Sequence, residues 1–228
     1  MTDDFEQRAR ELDGTPARDH ALVVGMAALQ VVPVVGGVVA TFISEYVPRK
    51  KQERLVKFVQ DLSSEFIAEQ ERIDSEFVRT KDFERMVEDV LDRVQTVRNE
   101  NKLGYWAAFL AGVATTDRPN ATDRDRMVET LDGLRPEHLR LLHVIASTTE
   151  GPPDLYMGGV SATLDWKMPD VPNDEVRRLW GELQRFDVVQ GYPSGIMTAQ
   201  GAGDLTVRLT AYGRQFVRLL RLEAGYAD

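Results

Sequence analysis

The stretch from Ala21 to Ile43 contains no charged side chain, and the need to keep it from water constrains this fold more than any other feature. A helix of this length just crosses the hydrocarbon core of a bilayer. A basic flank follows the stretch: Arg49, Lys50, Lys51, Arg54 and Lys57. By the positive-inside rule, this basic flank would keep the rest of a membrane-anchored chain in the cytoplasm.

The same stretch could instead fill the core of a soluble bundle or pack against copies of itself. Gln30 is polar, and Pro33 interrupts helical hydrogen bonding near the middle, where Gly36 and Gly37 loosen the backbone. Under either interpretation, the residues expected to be hidden from water include Val23, Val24, Val31, Pro33, Gly36, Gly37 and Phe42. We therefore expect a cytoplasmic protein, which is membrane-associated if the segment inserts.

Composition narrows the classes of function. The 228 residues include no Cys, which excludes disulfides, Cys-ligated zinc, iron–sulfur clusters and a thiol nucleophile. The net charge of -9 and the pI near 5.0 argue against general attraction to nucleic acid or anionic lipid. The first segment, residues 1–20, is acidic where an export signal is basic, so we do not expect secretion.

Residues 48–133 are predicted to form a helical bundle, which follows the apolar segment at 21–47. One long helix is expected after Pro48, because apolar residues recur there at helical spacing: Leu55, Val59, Leu62, Phe66, Ile73 and Phe77. This apolar face is either a seam inside the bundle or a contact in a homo-oligomer, and both interpretations stay open.

Three further helices are predicted in the same bundle. Thr80 is expected to cap the second, and a third runs from Leu103 to Val113. Thr122 and Asp125 resemble a capping box that opens the fourth.

Residues 134–228 are predicted to fold as a winged-helix domain with a small β-hairpin, so the whole chain is expected to be mainly α. The expected elements are a helix from Pro136, a short helix at Val160–Lys167, a helix capped by Asn173, a strand at Val188 and Val189, a returning strand through Leu205, Val207 and Leu209, and a closing helix at Ala211–Leu222. This order resembles the winged helix-turn-helix superfamily. The ending LTAYGRQFVRLL is similar to a strand-to-helix junction of bacterial winged helices, in which Thr210 would cap the last helix.

Most of the chain also resembles bacterial proteins of the abortive-infection alpha type. The resemblance lies in the order of the apolar Gly and Pro segment, helices containing NENKLGYWAAFLAGV, then LDGLRPEHLRLLHVIA and the winged-helix region. It implies a role in phage defence.

Charge distinguishes the two kinds of partner that a winged helix can bind. In the helix capped by Asn173, Arg177, Arg178 and Arg185 are matched by the same number of acids: Asp174, Glu175 and Glu182. The expected wing at 188–207 contains no Lys or Arg. Because phosphate contacts need cations, this pattern favours docking to a protein. A transcription regulator that binds DNA through the three arginines is the alternative.

No arrangement of catalytic residues stands out, so we expect a non-enzymatic protein without a metal or cofactor site. His138 and His143 are five residues apart and do not share a helical face, and His20 is isolated. A metal-dependent nuclease is a second alternative, because Pro153-Asp154 and Asp165-Trp166-Lys167 have the residue order of the restriction-type nuclease motif. That chemistry needs adjacent strands, whereas the second group falls at the end of a predicted helix.

Overall fold

The computed structural model describes residues 52–154, 157–191 and 197–223, and this part of the chain is mainly helical, as predicted. The chain divides into two compact units, Met1–Arg118 and Pro119–Asp228. The predicted apolar segment at 21–47 lies outside the described residues. Within the described ranges, no helix is both long and apolar enough to cross a bilayer.

The described part of the first unit is built around a central buried helix. Its helices are α1, Gln52–Ala68; α2, Lys81–Thr96; and α3, Asn101–Val113. α1 packs along α3, which is buried on nearly every side, including Trp106 and Phe109. Thr80 caps α2 as predicted, because its Oγ1 accepts a 3.3 Å hydrogen bond from the N–H of Phe83.

The predicted continuation of the first helix through Ile73 to Phe77 is wrong. α1 ends at Ala68, and the backbone of Ile73 instead pairs with Thr115 in an isolated antiparallel bridge. Oδ1 of Asp74 then accepts two backbone N–H groups, each at 3.0 Å, and starts a separate 3-10 turn. The apolar spacing correctly placed Phe77 in the core but could not indicate this change of direction.

The second unit contains most of the predicted helices. The helices of this unit are α4, Ala121–Gly133; α5, Pro136–Ser147; α6, Val160–Lys167; α7, Asn173–Arg185; α8, Ala199–Gly203; and α9, Ala211–Leu219. The short helix α8 was not predicted. The predicted cap of α4 at Thr122 is wrong, because Asn120 accepts the N–H of Asp123 at 3.0 Å. α4 belongs to the second unit, although it was predicted to be the last helix of a bundle at residues 48–133.

The predicted returning strand at 205–209 is also wrong. A 3-10 turn, Thr206–Arg208, occupies most of it. The turn forms because Oδ1 of Asp204 accepts two hydrogen bonds from Thr206, one from its backbone N–H at 3.0 Å and one from its hydroxyl at 2.6 Å. Leu209 keeps the expected pairing, in an isolated antiparallel bridge with Val189.

A two-stranded sheet forms elsewhere in the second unit. β1, Met157–Gly158, pairs antiparallel with β2, Met197–Thr198. These strands are only two residues long, which is too short for alternation of apolar residues to reveal them.

The start of α9 lies against the segment that follows α7 through a close backbone contact. Thr210 caps α9 as predicted, since its Oγ1 accepts the N–H of Gly213 at 2.7 Å. A Cβ built on Gly213 would lie 1.9 Å from the carbonyl oxygen of Val188. Glycine is therefore required where α9 begins.

Candidate interaction surface

The candidate surface lies on α7, an amphipathic helix of the second unit. The inner side of α7 is buried and consists of Val176, Leu179, Trp180 and Leu183. The indole N–H of Trp180 donates to the backbone oxygen of Gly191 at 3.0 Å, which holds this side in place. We call the solvent-facing side the outer face: Asp174, Arg177, Arg178, Gly181 and Arg185.

Arg178 is held by two acids of its own helix. Its Nε donates to Oε2 of Glu175 at 2.9 Å, and its Nη1 donates to Oε1 of Glu182 at 2.8 Å. Its Nη2 contacts the other carboxylate oxygen of Glu175. The hydrogen bond from Arg178 lowers the pKa of Glu175, and the same bond raises the pKa of Arg178. This cation is therefore largely neutralised within α7.

Glu182 also connects α7 to α5 through His138. The imidazole of His138 is buried, with 1% of the side chain exposed, and its Nε2 lies 2.9 Å from Oε2 of Glu182. Nδ1 accepts the N–H of Arg135 at 3.0 Å, so the ring proton is on Nε2 and is donated to Glu182. Burial is the main cause that lowers the pKa of His138, and the ring is neutral near pH 7.

Glu182 is thus the centre of a small polar network. Nη2 of Arg135 donates to its Oε2 at 3.1 Å, beside the bond from His138. Burial alone would raise the pKa of Glu182, but His138, Arg135 and Arg178 together outweigh burial and lower it. The carboxylate is therefore ionised and satisfied by neighbouring side chains.

The other two arginines predicted to contact nucleic acid are placed differently. Arg177 and Arg185 are exposed, and in the described part of the chain neither is paired with an acid. Gly181 lies between them, and among the described residues a Cβ built on it meets no atom within 4 Å. The outer face therefore offers an open gap with an arginine on each side.

An exposed aromatic side chain lies near the start of α7. Trp166 in α6 is 46% exposed, and Nζ of Lys167 lies 4.2 Å from its ring centroid. Nδ2 of Asn173 donates to Oδ2 of Asp165 at 3.2 Å, which places the end of α6 beside the first turn of α7. Trp and Arg are the side chains most enriched among residues that dominate binding energy.

The residues of the nuclease-type motif do not lie on adjacent strands. Asp165, Trp166 and Lys167 are all in α6, and Asp154 is in a turn before β1. Over the described ranges, no group of three or more His, Asp or Glu side chains is placed to hold a metal ion. This geometry does not support the cleavage chemistry that the residue order suggested.

Arg54 and Lys57 are the members of the basic flank that the structure describes. Nη1 of Arg54 donates to the backbone oxygen of Val97 at 2.9 Å, and Nζ of Lys57 donates to Oδ2 of Asp61 at 3.2 Å. Both cations make contacts inside the first unit. The remaining predicted contact residues lie outside the described residues: Val23, Val24, Val31, Pro33, Gly36, Gly37, Phe42, Arg49, Lys50 and Lys51.

Sequence reasoning missed the gap at Gly181 and the link from His138 to Glu182. The spacing of Glu175, Arg178 and Glu182 does indicate ion pairs along one helix, because residues three and four apart are neighbours on its surface. The contact with His138 depends on how α5 packs on α7, and the spacing of residues within one helix does not indicate how two helices pack.

No protein-family model, curated protein or solved structure matches this chain.

Proposed function

We propose that this chain is a non-enzymatic helical protein whose second unit is a winged-helix module that docks a protein partner. The order of α5, α6 and α7 supports the proposal, as does the bridge between Val189 and Leu209 that precedes α9. In a winged helix, α7 would take the place of the recognition helix. The first unit, together with the apolar segment, would drive self-association or membrane contact.

The observation that carries the choice of a protein partner is the pairing of Arg178 with Glu175 and Glu182. A recognition helix contacts bases mainly with its N-terminal residues. In α7 the first turn holds Asp174 and Glu175, which phosphates would repel. Arg178 would have to leave two carboxylates to reach a phosphate, so α7 is poorly suited to DNA.

A role in bacterial phage defence is part of the proposal. It is supported by the likeness to the abortive-infection alpha type, which includes the segment of α3 and the start of α5. Phage growth measured in bacteria tests this role. A strain that carries the chain should restrict phage growth, and a strain in which Arg177 and Arg185 are replaced should restrict it less. Equal phage growth with and without the chain would contradict this role.

A DNA-binding transcription regulator is the second candidate. The observation in its favour is that Arg177 and Arg185 are exposed and, among the described residues, have no acidic partner. Two such cations could contact phosphates even if Arg178 stays paired.

A fluorescence anisotropy titration of the full chain with labelled duplex DNA separates the two candidates. We expect binding no tighter than the non-specific range of about 10⁻⁴ to 10⁻⁶ M at physiological salt. Replacing Arg177 and Arg185 by Ala should leave this weak binding unchanged. DNA binding that is tight, falls steeply with salt and is lost in the double variant would overturn docking to a protein in favour of DNA.

Size-exclusion chromatography with light scattering, with and without detergent, tests the proposed role of the first unit. A multiple of the 25.7 kDa chain mass without detergent supports self-association. Recovery that requires detergent supports membrane contact. A monomer that needs no detergent contradicts both.

A further inference from the structure

Gly181 is a glycine that its own unit does not require. A Cβ built on Gly133, Gly203 or Gly213 would lie 2.7, 2.4 or 1.9 Å from a neighbouring atom, whereas one on Gly181 meets no atom of the described chain within 4 Å. Glycine inside a helix is less stable than alanine, because it loses more backbone freedom on folding. Its presence in the middle of α7 leaves open space that the described residues do not fill.

The charges beside this gap indicate what could enter it. Arg177 and Arg185 lie one turn before and one turn after Gly181, about 12 Å apart along the helix axis. Both are exposed, and no described acid pairs with either. Arg178 is neutralised by its own helix, and Asp174 lies at the far end of the outer face. The gap is therefore flanked by positive charge.

A second copy of α7 does not fit this surface. Antiparallel pairing about Gly181 would set Arg177 of one chain against Arg185 of the other. Parallel pairing would set each arginine against its own copy. Both arrangements bring like charges together, which is unfavourable.

DNA fits the centre of the outer face poorly. Bases are read by side chains that reach their edges in the major groove. Gly181 offers no side chain at the middle of the helix, and Asp174 in the first turn would face phosphates. A partner that approaches with its own side chains or backbone uses the gap better.

We infer that an acidic helix of a partner protein crosses α7 at Gly181, with its carboxylates paired to Arg177 and Arg185. The inference rests on the proposed docking function and names the chemistry of the partner. Packed helices have axes about 8–10 Å apart, and a glycine at the crossing lets them approach closely. Glu residues seven or eight positions apart are about 10.5–12 Å apart along a helix, which matches the two arginines.

The test uses the full chain and a synthetic helical peptide of about 20 residues, long enough to span the outer face. The peptide carries two Glu eight positions apart, with Ala between them on the same side and Gln elsewhere. A matched peptide carries Lys in place of both Glu. Binding is measured by isothermal titration calorimetry, and the contact is located by amide chemical shifts of ¹⁵N-labelled protein.

We expect the Glu peptide to bind with shifts centred on α7, and the Lys peptide to bind at least about tenfold more weakly. Gly181→Leu should weaken the Glu peptide by about tenfold, because the side chain fills the gap. Replacing Arg177 and Arg185 by Glu should reverse the preference toward the Lys peptide. Arg218→Glu, an exposed charge reversal on α9, should change neither result.

Equal binding of the two peptides, no binding of the Glu peptide, or a Gly181→Leu variant that binds normally would overturn the inference. Circular dichroism of each variant distinguishes lost binding from lost folding, and the charge-reversal variant provides a second measurement if Gly181→Leu does not fold. If the Glu peptide does not bind, only the inference of an acidic partner helix is overturned. Salt-sensitive DNA binding in the anisotropy titration would remove the proposed docking function as well.

Discussion

Nε2 of His138 donates to Oε2 of Glu182 at 2.9 Å, and this hydrogen bond joins the first turn of α5 to the C-terminal part of α7. On the other side of the ring, Nδ1 accepts the backbone N–H of Arg135. Both ring nitrogens are therefore used, and each has a fixed role. Protonating Nδ1 would place two donors against each other at the start of α5.

Stability should fall as the pH drops below 6.5 because of His138. Its pKa in the folded chain is lowered from the ordinary value of 6.5, mainly by burial. Below pH 6.5 the unfolded chain binds the proton first, so the free energy of unfolding decreases until the pH passes the folded pKa. The slope reaches at most about 1.4 kcal/mol per pH unit. Urea unfolding followed by tryptophan fluorescence from pH 7.5 to 5 measures it.

His138→Gln should remove this slope, although the variant is less stable at every pH. His143→Gln is the matched control, since it removes a histidine and leaves the bond to Glu182 in place. The paired carboxylates Glu175 and Glu182 have lowered pKa values and lose their contribution only at more acidic pH, below their ordinary value of 4.5. An unchanged slope in His138→Gln would show that another group is responsible.

Gly181→Ala should stabilise the second unit by about 0.5–1 kcal/mol, because alanine has the higher helix propensity. The new methyl group meets no atom within 4 Å in the part of the unit that the structure describes, so no packing cost is expected to offset this gain. Thermal unfolding followed by circular dichroism measures the rise in Tm. A lower Tm would mean that the position needs glycine for a reason internal to the chain.

Gly213→Ala should act in the opposite direction. Its Cβ would lie 1.9 Å from the backbone oxygen of Val188, which cannot move without disturbing the bridge between Val189 and Leu209. Overpacking of this kind costs about 1–3 kcal/mol. The same thermal unfolding assay gives the comparison, and a Tm equal to that of the parent chain would refute the contact.

An element could be predicted from the sequence where residues close together in the chain determine it. α7 was predictable, because Val176, Leu179, Trp180 and Leu183 repeat at helical spacing. The predicted cap at Asn173 is wrong, because Asn173 is the first residue of the helix and Pro172 occupies the N-cap position without a side-chain hydrogen bond. The cap of α2 at Thr80 and the start of α5 at Pro136 depend on single residues. The turn made by Asp204 competes with an alternating apolar pattern, and the pattern alone favoured a strand.

In the candidate site, too, features set by local spacing could be predicted and features set by helix packing could not. The charge balance of α7 can be counted in the sequence, and the capture of Arg178 follows from helical spacing. The bond between His138 and Glu182 spans 44 residues, so it depends on helix packing. The gap at Gly181 is visible only when the atoms around it are known, since Gly133 and Gly213 look equally ordinary in the sequence.

Asp74→Ala should destabilise the first unit. Oδ1 of Asp74 accepts the N–H of Glu76 and of Phe77, and its Oδ2 accepts Nη1 of Arg118 at 2.7 Å. The hydrogen bond from Phe77, followed by that from Arg118, lowers the pKa of Asp74. Alanine leaves the N–H groups of Glu76 and Phe77 without this acceptor and removes the partly exposed ion pair with Arg118, which contributes less. Urea unfolding measures the difference.

Asp74→Asn is the matched control for this variant. It keeps an oxygen for the backbone N–H groups and removes the charge that pairs with Arg118. We expect it to cost less than half as much as Asp74→Ala. Equal losses in the two variants would mean that charge, and not capping, makes the main contribution. Arg118 also lies 4.0 Å from the ring centroid of Phe77, a contact that both variants leave in place.

Tyr212→Phe should destabilise the second unit by about 1 kcal/mol. Oγ1 of Thr130 donates to the backbone oxygen of Arg126 at 2.9 Å, so the hydroxyl of Tyr212, 2.7 Å away, must be the donor in the bond between them. The pair is buried, and removing the donor leaves the threonine oxygen with one bond fewer. Arg126 lies 4.0 Å from the tyrosine ring centroid, and phenylalanine preserves that contact.

A double-mutant cycle isolates the hydrogen bond between Tyr212 and Thr130. Tyr212→Phe, Thr130→Val and the combined variant are unfolded in urea, and the coupling energy is the departure from additivity. Because Thr130→Val also removes the bond to Arg126, the single loss should exceed that of Tyr212→Phe, while the coupling should be about 0.5–1 kcal/mol. A coupling near zero would mean that the two hydroxyls do not depend on each other, and that the hydrogen bond between them does not help to hold α4 against α9.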